Sequence, residues 1–85
     1  MAESLGSARR VMLQLLSSRA PGMTICPSEV ARALAADMRS ADWRARMPIV
    51  HAAVDQLLSD GTVQLSWKGL PLLARAGPYR IKRSD

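Results

Sequence analysis

The chain has 85 residues, 48% of them hydrophobic, with two Trp, one Tyr and no Phe, which fits one domain whose modest core is built from Leu, Val, Ile, Ala and Met. Twelve Lys and Arg against seven Asp and Glu give a formal charge of +5 and a pI near 10.7, a balance that favours anionic partners, nucleic acid first. One Cys and one His exclude an intramolecular disulfide and a four-ligand structural zinc site, and no run of about 18 apolar residues is present to span a membrane.

The first ten residues lack a long apolar run behind a basic start. No secretory signal is therefore expected there, and the reducing cytoplasm is the expected location. A first helix is predicted from Ser4 to Ser18. Leu5, Ala8, Val11, Met12, Leu15 and Leu16 fall on one face, and Arg9, Arg10, Gln14 and Ser17 on the other. Ala20-Pro21-Gly22 ends it. Met23-Thr24-Ile25 is short and fits a single edge strand. A second helix begins at Pro27, with Glu29 in its first turn, where a negative charge suits the helix dipole. Val30, Ala31, Leu34 and Met38 make its buried stripe, and Arg32, Ala36 and Arg39 face out. Asp42 is an N-cap for a short turn through Arg46.

Pro48 restricts Met47 and starts a third helix. Val50, Ala53, Val54, Leu57 and Leu58 form its inner face, flanked by Ile49, and His51, Ala52, Asp55, Gln56 and Ser59 its outer one. Gly61 stops it. Thr62 to Trp67 then alternates with period two, Val63, Leu65 and Trp67 pointing inward. Tyr79 and Ile81 match that inner set, with Arg80 and Lys82 outside, and Lys68 to Pro78 reads as a wing loop. Three helices with a short three-stranded sheet and a wing give an α+β, mostly α, winged helix-turn-helix domain. It fills residues 1–85, with a core from about residue 5 to 83.

Catalysis finds little support. His51 and Asp55 are one helical turn apart, close enough to interact, but no nucleophile accompanies them. Cys26 reads as a small, semi-buried residue at the start of the second helix. The glycines are scattered turn markers rather than a phosphate cradle. No enzyme activity, cofactor or metal is expected. For nucleic acid, the outer face of the third helix carries no Lys or Arg, and Asp55 would repel phosphate. The basic residues lie around it: Arg44 and Arg46 ahead of the helix, Lys68 and Arg75 in the wing, Arg80 and Lys82 on the last strand. That distribution suits phosphate contact more than base reading, so duplex DNA is expected to bind weakly and salt-sensitively. Leu70, Leu72 and Leu73 put three leucines in the wing. Either they fold back onto the core, the commoner outcome, or they form an apolar patch for a protein partner or a second copy. A basic surface joining the third helix to the wing would support nucleic acid. An apolar patch among scattered charges would support a protein partner.

The run Trp43-Arg-Ala-Arg-Met-Pro48, the helix end Leu57-Leu-Ser-Asp-Gly61, Lys68-Gly69 and the final-strand motif Gly77-Pro-Tyr-Arg80 resemble a bacterial family. Its members are short, winged-helix-like proteins catalogued as a domain of unknown function. The second-helix start, Cys26-Pro-Ser-Glu-Val-Ala-Arg-Ala-Leu34, is similar too. The resemblance covers Leu5 to Arg83, nearly the whole chain, and implies a winged-helix fold without implying an activity or site residues. Family members often carry a basic residue where this chain has His51, a departure that weakens any groove-reading role for the third helix.

Overall fold

The computed structural model describes residues 4–84. Helix α1 (Leu5–Ser17) starts where Ser4 Oγ accepts the Ser7 N–H at 3.1 Å, satisfying a first-turn amide that has no partner within the helix. Ala8, Val11, Met12 and Leu16 are buried, and Leu5 and Leu15 are half-buried beside them. The chain turns at Gly22, whose φ of +85° favours glycine. Ile25 then pairs with Ile81 through two backbone hydrogen bonds of 2.8 and 2.9 Å. Met23 and Thr24 do not join it, so the expected edge strand reduces to this one bridge.

In helix α2 (Pro27–Asp37) the Glu29 carboxylate accepts the Cys26 N–H at 3.2 Å and the Arg19 guanidinium at 2.8 Å. Pro27, Val30, Ala31, Leu34 and Ala35 are buried. Met38, expected in that stripe, lies one residue past the helix and is only half-buried. The helix closes with the Arg39 N–H on the Ala36 carbonyl (3.0 Å) and the Ser40 N–H on the Ala35 carbonyl (2.9 Å). This is a Schellman cap, with Arg39 at φ +54° in the left-handed position.

A single 3-10 turn, Arg44–Arg46, follows, and Asp42 Oδ1 accepts the Ala45 N–H at 3.3 Å. The turn runs straight into helix α3 (Met47–Ser59), one residue earlier than Pro48 suggested. Met47 has helical angles (φ −57°, ψ −42°) and packs against the core, so burial overrides the preference of a residue before proline for extended backbone. Pro48 costs nothing at the second helical position, where an amide has no intrahelical partner. Val50, Ala53, Val54 and Leu57 are buried. A second Schellman cap ends the helix, with Gly61 at φ +78° and the Thr62 N–H on the Leu57 carbonyl at 2.9 Å.

Strands β1 (Val63–Trp67), β2 (Leu70–Leu72) and β3 (Arg80–Arg83) form an antiparallel sheet in the order β2-β1-β3. Lys68 and Gly69, both at positive φ (52° and 81°), make the two-residue connection between β1 and β2, as a type I′ hairpin requires. This corrects the reading of Lys68 to Pro78 as one wing loop. The turn folds Leu70-Pro71-Leu72 back onto β1, with Leu72 opposite Leu65, Pro71 opposite Ser66 and Leu70 opposite Trp67. Of the stretch from Lys68 to Pro78, residues 73–78 remain irregular. Trp67 is a second correction: it is 38% exposed. Its strand partner Leu70 is 69% exposed, so the core ends at the Leu65–Leu72 pair although the alternation continues beyond it.

Leu16, Leu34, Val50, Val54, Leu57, Leu65, Tyr79 and Ile81 share one buried cluster. The architecture is α+β, mostly α: three helices followed by a three-stranded antiparallel sheet, consistent with a winged-helix layout in which β1 and β2 make the wing. Among the described residues, no helix is long and apolar enough to cross a membrane.

Candidate functional site

The six basic residues singled out in the sequence do not form one surface. Arg44 is exposed, and its guanidinium lies over the Trp43 ring, 4.4 Å from the centroid. Arg32 reaches the same ring from α2, also at 4.4 Å. One half-buried indole thus holds two cations at the corner between α2 and α3, a favourable arrangement because the ring face is the negative pole of its quadrupole. Arg39, the exposed left-handed residue of the cap, lies two positions past the end of the same helix. Arg46 is turned inward: it donates to the Asp42 carbonyl at 3.0 Å and lies 3.8 Å from Met38 Sδ.

Two of the six are tied down elsewhere. Arg75 makes a two-point contact with Asp55, Nε to Oδ1 at 2.8 Å and Nη2 to Oδ2 at 2.9 Å. Asp55 is therefore not a bare repelling carboxylate, and Arg75 is not a free wing cation. The Arg75 hydrogen bond, with the nearby charges of Arg75 and His51, holds Asp55 below the usual carboxylate range. Arg80 donates to Thr24 Oγ1 at 2.7 Å and to the Thr24 carbonyl at 3.2 Å, fastening β3 to the segment before α2. Lys68 sits exposed in the β1–β2 turn, and Lys82 is half-buried on β3.

Between α3 and the β1–β2 hairpin lies a groove of about 580 Å³, lined by Asp55, Leu58, Ser59, Gln64, Leu65, Pro71, Leu72 and Leu73. Of the three wing leucines, Leu72 folds back against the core, whereas Leu70 and Leu73 do not; Leu73 is 97% exposed. The α3–hairpin side is thus apolar, and the basic surface lies at the α2–α3 corner.

His51, expected on the outer face of α3, is half-buried, with Nδ1 2.6 Å from the Tyr79 hydroxyl. Burial, and then the charge of Arg75, push its pKa down, and Asp55 opposes them. Burial also drives the Tyr79 phenol well above its ordinary value, so the phenol keeps its proton, and the imidazole tautomer sets which of the two groups donates. Cys26 Sγ is 2.8 Å from Ser28 Oγ. Burial raises the thiol, but hydrogen bonds from Ser28 and Glu29 and the charge of Arg80 outweigh it, and the net shift is downward. Among the described residues, no three His, Cys, Asp or Glu side chains group closely enough to hold a metal ion.

Sequence reasoning placed Arg32 and Arg39 outward without assigning them a role. The available signal was a tryptophan followed by Arg44, with outward arginines on the preceding helix. What it lacked was the tertiary contact that brings Arg32 onto the ring. A comparison with curated proteins gives no match. A family model described as a protein of unknown function (DUF3253) matches residues 6–84, and the chain belongs to that family.

Proposed function

We propose that the domain is a small nucleic-acid-binding regulatory module, not an enzyme, that grips the phosphate backbone with the α2–α3 corner. The observation that carries this reading is where the positive charge is left over. Among the described residues, Arg9 pairs with Asp60, Arg10 with Asp37, Arg19 with Glu29 and Arg75 with Asp55. Arg32, Arg39 and Arg44 meet no carboxylate among the described residues, and all three belong to α2 and the turn after it; Arg80, Lys68 and Lys82 meet none either, but Arg80 is engaged by Thr24 and the two lysines stand apart, in the hairpin turn and on β3. In a helix-turn-helix the first motif helix crosses the backbone while the second enters the groove. Cations on α2 and its turn suit that crossing. The face of α3, with Asp55 neutralised and no cation of its own, suits base reading poorly. The reading is therefore backbone binding with little sequence preference.

The test is a salt titration against random duplex DNA. Binding in the range of roughly 10⁻⁴–10⁻⁶ M is expected, with a log-log salt slope near −3 for about three phosphate contacts. Arg32→Ala, Arg39→Ala and Arg44→Ala should each flatten the slope by about one unit, and Arg75→Ala should leave it unchanged. Absence of binding at about 50 mM salt would sink the proposal.

A second reading, a protein-interaction or dimerisation module, is favoured by the α3–hairpin side, where the surface between the third helix and the wing is the apolar patch expected of a protein partner and not a basic one: a groove with the bare Leu73 side chain beside it. It gains the lead if duplex binding is absent and the protein self-associates in sedimentation experiments in a manner abolished by Leu73→Glu.

A further inference from the structure

Tyr79 with His51, and Asp55 with Arg75, form two contacts whose α3 members stand one turn apart, and neither reading above uses the first of them. Together they run from just before β3 across α3 to the irregular segment at residues 73–78. The Tyr79 hydroxyl meets His51 Nδ1 at 2.6 Å. His51 and Asp55 stand one turn apart on α3, and Asp55 holds Arg75 through both oxygens at 2.8 and 2.9 Å. Residues 73–78 are all exposed, and the two-point Arg75 contact is a side-chain tie between them and α3. The segment also carries Leu73, which lines the groove.

We propose that His51 is an acid-operated latch for residues 73–78, in which a proton taken up at Nδ1 releases the segment from α3. The proton comes from solvent, and no bond other than N–H forms. With Nδ1 protonated, the imidazole no longer accepts from Tyr79, whose hydroxyl is left facing a donor. The imidazolium also places a second positive charge beside Arg75. Asp55 lies within its reach on the same helix face, so the carboxylate exchanges its bond to Arg75 for one to His51. The groups facing His51 are Tyr79 from just before β3, Arg75 from the segment and Asp55 from its own helix. Cys26, at the start of α2, acts on Tyr79 electrostatically. Asp55 alone favours the charged imidazole. Burial and Arg75 oppose it, so the latch is closed at neutral pH and opens on the acid side of ordinary histidine titration.

The sign follows from linkage. A histidine whose pKa is depressed while latched contributes to latching above its ordinary value, and that contribution is lost as pH falls through the depressed value. Between the two values the open fraction rises about tenfold per pH unit. The experiment is NMR on the whole domain, following the Arg75 Nε–H signal and the backbone mobility of residues 73–77 with pH, with the ring nitrogens of His51 in parallel. His51→Asn is the control, because its side-chain oxygen stands near the Nδ1 position and cannot be protonated. As the ring titrates, the wild-type Arg75 signal should leave its bonded position and residues 73–77 should gain mobility, with no such change in His51→Asn. At neutral pH the ring should carry its proton on Nε2. Identical Arg75 and segment signals in both proteins across the titration, or a ring protonated at Nδ1 at neutral pH, overturns the latch. If His51→Asn does not fold, the wild type alone decides, since ring and segment either titrate together or do not. The outcome is independent of nucleic-acid binding.

Discussion

Leu57 reaches the centre of the cluster from α3 and is 1% exposed. Truncation to Ala removes its buried methyl groups and leaves a cavity, with an expected loss of about 2–5 kcal/mol in urea unfolding. A small domain holds on the order of 5–10 kcal/mol in total, so this one change takes a large share. A loss under about 1 kcal/mol would show that the site collapses around the gap. Cys26 presents a different balance. Its thiol is half-buried, which slows reagents, yet the hydrogen bonds at the start of α2 favour the thiolate. The pH midpoint of its alkylation should lie below that of an ordinary cysteine, and Ser28→Ala should move it upward. A midpoint at or above the ordinary value would mean that burial dominates. Helix-start signals in the sequence place Cys26 but do not show this polarity, which depends on Ser28 turning its hydroxyl toward the sulfur and on Arg80 arriving from β3.

Both motif helices end in the same backbone cap, filled once by Gly61 and once by Arg39. A non-glycine residue in the left-handed region costs about 1–2 kcal/mol, partly offset because a glycine loses about 0.4–1 kcal/mol more chain entropy on folding. Arg39→Gly should therefore stabilise the domain by roughly 0.5–1 kcal/mol, and Gly61→Ala should destabilise it by a similar amount, both read from thermal unfolding. An Arg39→Gly protein that is less stable would mean that the arginine side chain contributes more than its backbone costs. At this scale the sequence was most legible. Apolar spacing placed α1, α2, α3, β1 and β3 within a residue or two, because each buries a continuous stripe. β2 was hidden: three residues with a proline at the centre have no period to read, and the pairing is imposed by the left-handed Lys68-Gly69 turn. Trp67 misled for the converse reason, since alternation marks the face of a strand and not the point where the core beneath it stops.

Across the whole molecule, charge was legible in amount but not in placement. The composition shows five more cations than anions, but it cannot show which arginines find carboxylates 20 or 51 residues away, as Arg75 and Arg9 do. The basic corner emerges once those pairs are removed; of the wing residues expected to share the contact, Arg75 is paired, whereas Lys68 stays exposed in the β1–β2 turn. If the corner is the contact surface, Lys68→Ala should change duplex affinity less than Arg44→Ala in the same salt titration. The reverse order would move the contact to the hairpin tip.

A three-stranded sheet has two open sides, each a template on which a foreign strand can grow. On β3 the outward backbone of Ile81 is already taken by Ile25. The same parity places the backbone of Pro71, at the middle of β2, away from β1, and a proline nitrogen has no hydrogen to offer there. The hairpin displays leucines without displaying a ladder. Contacts at this face are thereby steered toward side-chain packing and away from the endless strand-on-strand addition that leads to fibres.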